Sequence, residues 1–419
     1  MRLLYSLGIC VFGLALRIAA IFNQKAKLWT SGRKDLFSKV EKSLENLDRS
    51  QHPVIWFHVS SLGEFEQGRP LIEAIREDHP ECKILLTFFS PSGYEVRKNY
   101  SAVDFVFYLP LDTLSNARKW VKLVNPRLAV FVKYDFWYNT LSALHQKEIP
   151  VYFISVLFRP GQFFFKGYGH WFRRQLGAVT WFFVQNEPSG LLLGSIGMQN
   201  VTITGDTRFD RVYSIARNKK SFPLVENFCA GKKIFIGGST WKEDEDILLP
   251  LINHAGVNLK YILAPHDVSR DRVNEITSRL QRPFILYSEM KGDNLAGKEI
   301  LVIDTVGILS QLYQYATIAF IGGGFGAGIH NIQEPITFGV PVFFGPKYQK
   351  FTEATDLVGL GGALCIQSSA ELKNTVSNIL ADPEIHYQMS SVCRNYVEQH
   401  RGATEIILNF FKTSHALRD

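Results

Sequence analysis

The sequence predicts an α/β protein made of two Rossmann-like halves that face a cleft, preceded by an apolar N-terminal segment. Three observations carry this reading. Short apolar runs alternate with amphipathic stretches from residue 53 onward, the pattern of βαβ units feeding a parallel sheet. A polar segment, 210–232, interrupts the alternation, which then restarts, so the 419 residues divide into two halves of ordinary domain size. Glycine-rich or acid-bearing turns follow several of the apolar runs, at the strand ends where α/β proteins build their sites.

Taken in order, residues 3–22 are apolar apart from Arg17, close to the ~20 residues a membrane-spanning helix needs. Lys25, Lys27, Arg33 and Lys34 follow it, a charge bias that leaves the bulk of the chain on the cytoplasmic side of a membrane. A cleaved signal peptide is the rival reading, but its charges would precede the apolar core, and no A-x-A site is present. Arg17 also allows a helix lying in the membrane interface. We divide the rest into a helical connector (25–50), an N-terminal domain (51–210), a linker (211–232) and a C-terminal domain (233–419). Expected strands of the first domain are 54–59, 84–88, 105–109, 128–132, 151–154, 181–184 and 201–204. Those of the second are 233–236, 261–263, 284–286, 300–303, 318–321, 340–344 and 363–366.

Composition narrows the function. A hydrophobic content of 46% with 20% charged residues is that of a globular chain. A net charge of +7 favours an anionic partner, nucleic acid or an anionic membrane surface. Five scattered cysteines without C-x-x-C spacing argue against a zinc site or disulfide frame and fit a reducing compartment.

The chemistry-bearing stretches begin with His58-Val-Ser-Ser-Leu-Gly-Glu64, which ends one strand and opens a helix. Glu64 there is either a helix-capping acid or a functional carboxylate kept ionised by the helix dipole. Lys133-Tyr-Asp135-Phe-Trp137-Tyr-Asn139 follows another strand, and Asp135 is either a loop acid or a site residue. Between 157 and 183, aromatics including Phe163, Phe164, Phe165 and Trp171 interleave with Arg159, Lys166, Arg173 and Arg174. Such a mix suits lipid headgroups, a phosphorylated lipid substrate, or a purely structural aromatic segment. Base stacking uses the same residue types, but no RNP or OB pattern frames them, so nucleic acid is set aside.

In the second half, Ser239 and Thr240 sit in a strand-to-helix turn suited to phosphate. The acid run 243–246 reads as a solvated helix start and not as a metal site. The densest signal is Ile318 to Pro346, IAFIGGGFGAGIHNIQEPITFGVPVFFGP. Gly322, Gly323 and Gly324 let the backbone approach a ligand, and a helix is expected from about Glu334-Pro335. His330 and Asn331 offer donors to phosphate, and Glu334 an acceptor for ribose hydroxyls.

The segment GGG-x-G-x-G-x-HNxxEPxxxGxPVxFGP resembles the Kdo transferases, the 3-deoxy-D-manno-octulosonic acid transferases of lipopolysaccharide synthesis. The other stretches are similar too. His58 to Glu64 resembles H-x-x-S-x-G-E, whose glutamate is the family's proposed base. Residues 133–139 are similar to E-T-E-x-W-P-N, with Lys133 replacing an acid and Asp135 shortening one. Residues 205–210 resemble G-N-x-K-F-D, with Arg208 as the cation for a Kdo carboxylate or a phosphate. Pro265-His266 resembles part of P-R-H, and 304–309 resembles D-T-x-G-x-L, a loop that approaches the nucleotide through Gly307. Trp241 stands where the family has histidine.

The resemblance implies a GT-B fold and an inverting glycosyltransferase that moves Kdo from CMP-Kdo to a lipid A precursor. It implies Glu64 as base, aided by Asp135, and a donor site of Arg208, Ser239, Thr240, His266, Gly307, Gly322–Gly324, His330, Asn331 and Glu334. We expect no cofactor and no metal, CMP-Kdo, a lipid A precursor and an anionic membrane as partners, and a place on the cytoplasmic face of a bacterial inner membrane. Two rivals remain. The nucleotide-sugar 2-epimerases share the architecture but lack an anchor, and a non-catalytic lipid-binding scaffold would not need carboxylates and glycines on both sides of one cleft.

Overall fold

The computed structural model describes residues 1–254 and 258–417, which divide into two compact units, Met1–Arg211 with Arg401–Asp419, and Val212–His400. Each is built on a seven-stranded, all-parallel sheet. In the first unit the strands are β1 (Val54–Val59), β2 (Lys83–Phe88), β3 (Phe105–Tyr108), β4 (Leu128–Val132), β5 (Val151–Val156), β6 (Trp181–Val184) and β7 (Val201–Ile203). Their order, β3-β2-β1-β4-β5-β6-β7, reverses direction between β1 and β4. The second unit carries β8 (Ile234–Thr240), β9 (Lys260–Pro265), β10 (Phe284–Leu286), β11 (Ile300–Val302), β12 (Ile318–Ile321), β13 (Val342–Phe344) and β14 (Ala363–Cys365). Its order, β10-β11-β9-β8-β12-β13-β14, reverses between β8 and β12. In such sheets the crevice at the carboxyl ends of the two strands flanking the reversal is where ligands bind. Every expected strand is present, with ends that move by up to a few residues. The runs are legible because strands covered on both faces are apolar throughout: all of β1 and all of β4 are buried.

The helices of the first unit used below are α1 (Arg2–Ala19), α2 (Gln24–Ser31), α3 (Leu36–Leu44), α4 (Leu62–Asp78), α5 (Pro91–Arg97), α6 (Leu114–Val124) and α7 (Tyr138–Gln146). Among them α4 opens with Ser61 as N-cap and Glu64 completing a capping box. One face of the sheet packs on Val40, Leu44, Trp120, Leu144 and their neighbours, the other on Phe65, Leu71, Ile75, Ile407 and Phe411.

Four expectations need correction. The C-terminal segment does not stay with the second half: helix Ala403–Thr413 packs in the first unit, with Phe411 fully buried against Tyr152 at 4.7 Å between ring centroids. Asp210 fixes its start, accepting from the Thr404 amide (2.7 Å) and hydroxyl (2.6 Å). Residues 211–232 are no structureless linker, since Arg208–Arg217 and Pro223–Cys229 are helical. The helix expected near Glu334 is a single turn, Gln333–Ile336. The N-terminal segment is helical but is not a separate tether. Gly13 of α1 presses on Leu111, where a Cβ would come within 2.5 Å of Cδ2, and Phe12 stacks 6.2 Å from Phe89.

Candidate active site

In the first unit, Glu64 and Asp135 meet at the β1/β4 reversal, each at the carboxyl end of its strand. Glu64 Oε2 accepts from the Ser60 amide (2.6 Å) and the Ser61 amide (3.1 Å), so the capping reading of this residue holds structurally. The expectation that the helix start keeps it firmly ionised does not hold. Burial, then the Asp135 charge, raise its pKa to about 7, against the two amides and Lys133, which pull the other way. A carboxyl group that exchanges its proton near neutrality is suited to general-base work.

Asp135 is tied to β1 twice. Its Oδ2 accepts from the Ser60 hydroxyl and lies 3.0 Å from His58 Nε2. The same Nε2 is 3.0 Å from the indole N–H of Trp137, while Nδ1 lies 2.8 Å from Thr87 Oγ1. A neutral imidazole accepts from Trp137 and donates to Thr87, whereas a protonated one pairs with Asp135. His58 is fully buried, a lone polar side chain in an otherwise apolar strand, and its place beside Asp135 is easily missed in the sequence.

Arg208 lies on this side as well. Its Nε and Nη2 grip Asp206 Oδ2 at 2.9 and 2.8 Å, and Asp206 Oδ1 takes the Gln67 side-chain amide of α4 at 2.8 Å. Burial pushes the Asp206 carboxyl up, but Arg208 outweighs it and holds the group below its usual range. Tyr134, beside Asp135, feels the charges of Arg159, Asp206, Arg208 and Glu64, and Lys133 acts on Glu64. Lys133 bends the chain there with φ +62°. Lys133 thus acts on Glu64 itself, whereas Arg159 and Arg208 act on the neighbouring Tyr134.

The aromatic stretch is mostly core. Phe164 is buried at 1% exposure with Phe158 beneath it, while Phe165 and Phe172 pack against the same cluster. Trp171 lies 5.1 Å from Tyr138 and 6.0 Å from Tyr5 of α1. Phe163 and Tyr168 are exposed, as are Arg159, Lys166 and Arg174, with Arg173 half-buried. The structural reading thus holds for most rings, and a lipid-facing role is left to the cations and two aromatics. The 3₁₀ turns Phe163–Phe165 and Gly167–Gly169 fold the segment so that its rings join the apolar cluster around Phe158.

In the second unit the β8/β12 reversal gathers Ser239, Thr240, Gly322, Gly323, Gly324 and His330. The glycines serve the chain itself. A Cβ on Gly322 would meet Ser239 O at 2.3 Å, one on Gly323 (φ +92°) Gly328 O at 2.3 Å, and one on Gly324 Gly345 N at 2.5 Å. The amides are engaged too: Gly322 donates to Gly238 O at 2.9 Å and Gly323 to Asp244 Oδ2 at 2.7 Å. Asp244 also accepts from the Trp241 amide at 2.9 Å. A carboxylate of the chain, Asp244, therefore occupies these two amides.

The acid run 243–246 is correspondingly not all solvated. Asp244 and Glu245 are fully buried, and Glu245 takes Arg272 and the Thr240 hydroxyl (3.1 Å). Thr240 is therefore structural, and Arg272 is no substitute for a donor-site arginine. Asn331 and Glu334 bond to each other at 3.4 Å beside the single helical turn. Gly307 (φ +92°) is exposed in the loop after β11, whose Asp304 accepts from the Ser288 amide at 3.0 Å.

An unforeseen feature is a stack of three rings, with His266 4.5 Å from Trp241 and 4.4 Å from His330. The Trp241 indole donates to His330 Nε2 at 2.9 Å, which leaves the proton on Nδ1. Burial, then His266, lower the His330 pKa to about 4, so this side chain donates as a neutral ring. Trp241, the departure from the family motif, was the sequence signal for this arrangement.

Residues 34–211 match the family model of the 3-deoxy-D-manno-octulosonic-acid transferases (kdotransferases). The 3-deoxy-D-manno-octulosonic acid transferase of Haemophilus influenzae is 26% identical over 373 residues, 85% of this chain and 86% of its own. That of Chlamydophila psittaci is 25% identical over 344 residues, 79% of this chain and 78% of its own. Over these spans the chain is similar to the Kdo transferases. Its fold is shared more widely. The UDP-GlcNAc 2-epimerase of Neisseria meningitidis superposes with a TM-score of 0.61 at 14% identity, covering 86% of this chain and all of the other. That likeness is one of architecture, two Rossmann-like domains of the GT-B kind.

Proposed function

We propose that the protein transfers Kdo from CMP-Kdo to a lipid A precursor with inversion at the anomeric carbon. The observation that carries this is Glu64, a carboxyl poised near pH 7 beside Asp135 and Lys133, in a chain whose residues 34–211 match the Kdo transferase family model. Glu64 takes the proton of an acceptor hydroxyl as its oxygen bonds to the anomeric carbon. The bond from that carbon to the CMP phosphate oxygen breaks on the opposite face, and its electron pair leaves with CMP. Glu64 then returns the proton to solvent. Lys133, Arg159 and Arg208 suit both the carboxylate of Kdo and the phosphates of the acceptor. Asp135 raises the basicity of Glu64 and is held by Ser60 and His58.

On the donor side, His330 Nδ1–H, His266 and the exposed loop at Gly307 support CMP binding. The leaving group has a single phosphate, and we propose that these donors serve it without a divalent metal or a cofactor.

We further propose that the protein works at the cytoplasmic face of a bacterial inner membrane. Leu3, Leu4, Leu7, Val11, Leu14 and Ile18 form one face of α1 and are 55–87% exposed. The opposite side of α1 is bonded to its own unit, which favours a helix lying in the interface over one that crosses. A 2-epimerase reading shares only the fold. Mass analysis of products after incubating the protein with CMP-Kdo and a lipid A precursor in excess EDTA tests the proposal. Acceptor gaining Kdo with release of CMP is expected. Epimerised UDP-sugar without Kdo transfer overturns the reading, and activity that returns only with Mg²⁺ or Mn²⁺ overturns its metal-free part.

A further inference from the structure

Helix α1 turns a polar seam toward its unit and an apolar face away from it. The Tyr5 hydroxyl donates to Asp112 Oδ2 at 2.6 Å. Arg2 donates to Asn139 Oδ1 (3.3 Å) and to Ser142 Oγ (3.2 Å), and the Asn139 amide reaches Ser6 Oγ at 3.2 Å. Asp112 is 1% exposed, and its carboxylate also collects the first donors of α7. These are the amides of Asn139 (3.0 Å) and Thr140 (2.8 Å) and the Thr140 hydroxyl (2.6 Å). Trp137, the N-cap of α7, provides no side-chain cap, so Asp112 caps this helix from another loop.

The consequence lies one residue upstream. Trp137 leads into α7, donates to His58 Nε2 at 3.0 Å and packs, tilted, on Phe89 at 4.6 Å between ring centroids. His58 in turn sits 3.0 Å from Asp135. The loop 133–139 is therefore held at its downstream end by the Asp112 cap, and that cap is completed by a residue of α1. A buried carboxylate surrounded by uncharged donors depends on each of them, because an unmade bond there leaves an oxygen without solvent to replace it.

We propose that Tyr5 and Asp112 are positioning residues that make α1 part of the active site, setting the loop that carries Asp135 and Trp137. A detachable tether would place the enzyme at the membrane and do nothing else. A positioning helix changes the chemistry even where no membrane is needed.

The test uses the full chain in detergent micelles with a micellar acceptor, so that tethering is irrelevant. Tyr5→Phe keeps the ring that meets Tyr138 edge-to-face at 4.9 Å and removes only the bond to Asp112. Loss of one such bond corresponds to about a tenfold change. Amide exchange over 133–141 is expected to rise by about that factor, with exchange in β1 and β4 unchanged, and kcat to fall likewise at constant donor KM. Asp112→Asn, which presents an amide to the same donors, is expected to do more. If Asp112→Asn fails to fold, Tyr5→Phe still decides. Unchanged exchange in 133–141, a uniform rise across the first unit, or a loss of activity only on vesicles would each overturn the proposal. The activity arm rests on the transferase reading, whereas the exchange arm does not. A wild type without transfer activity but with the expected exchange difference would overturn that reading and keep this one.

Discussion

Glu64 is held by two amides through one oxygen and still titrates near neutrality, because burial and the Asp135 charge together outweigh those bonds and Lys133. The acid limb of kcat/KM is therefore expected near pH 7, with activity rising as Glu64 loses its proton. Asp135→Asn removes the like charge that raises the Glu64 pKa, so the limb should move to lower pH; a limb that stays put would dissociate the two groups. The sign for stability is the reverse. A carboxyl whose folded pKa lies above its ordinary 4.5 favours the fold at low pH and loses that contribution as pH rises through 7. The Tm of Glu64→Gln should gain on the wild type between pH 5 and pH 8, which also checks that the variant folds. The placement of Glu64 and Asp135 at strand ends was legible because each follows an apolar run. The shifted pKa was not, since it depends on burial that only the folded neighbours supply.

At the scale of elements, every strand could be read from its run of apolar residues, because a strand covered on both faces has no polar side to confuse the pattern. The glycine turn after β12 carried an ambiguous signal. Glycine permits close approach of backbone to a ligand or to the chain itself, and the second holds here for Gly322, Gly323 and Gly324. Gly322→Ala is accordingly expected to act on stability, through a clash with Ser239 O, and to cost on the order of 1–3 kcal/mol. Thermal unfolding with CMP binding measured on the folded protein separates the cases: a normal Tm with lost CMP affinity would restore the ligand-cradle reading. The aromatic stretch misled in the same way, because rings beside cations look alike in sequence whether they face lipid or, like Phe158 and Phe164, the core.

For the whole molecule, two sheets and their division were legible, whereas the return of Ala403–Thr413 to the first unit was not. An amphipathic helix declares that one face is buried, not which core buries it. The same limit applied to α1, whose apolar character was plain and whose docking through Tyr5 and Arg2 was not. Because Leu7 and Leu14 are 61% and 58% exposed, Leu7→Glu with Leu14→Glu should release the protein from anionic vesicles and leave Tm unchanged. A fall in Tm would mean that this face packs on protein. The central claim is that Glu64 is the base of a Kdo transfer, and it is tested most directly by assaying Glu64→Gln with CMP-Kdo and a lipid A precursor while measuring CMP affinity by calorimetry. The account predicts unchanged CMP affinity and a rate lower by ~10²–10⁴-fold. A variant that keeps more than about a tenth of the wild-type rate, well outside that range, would contradict it.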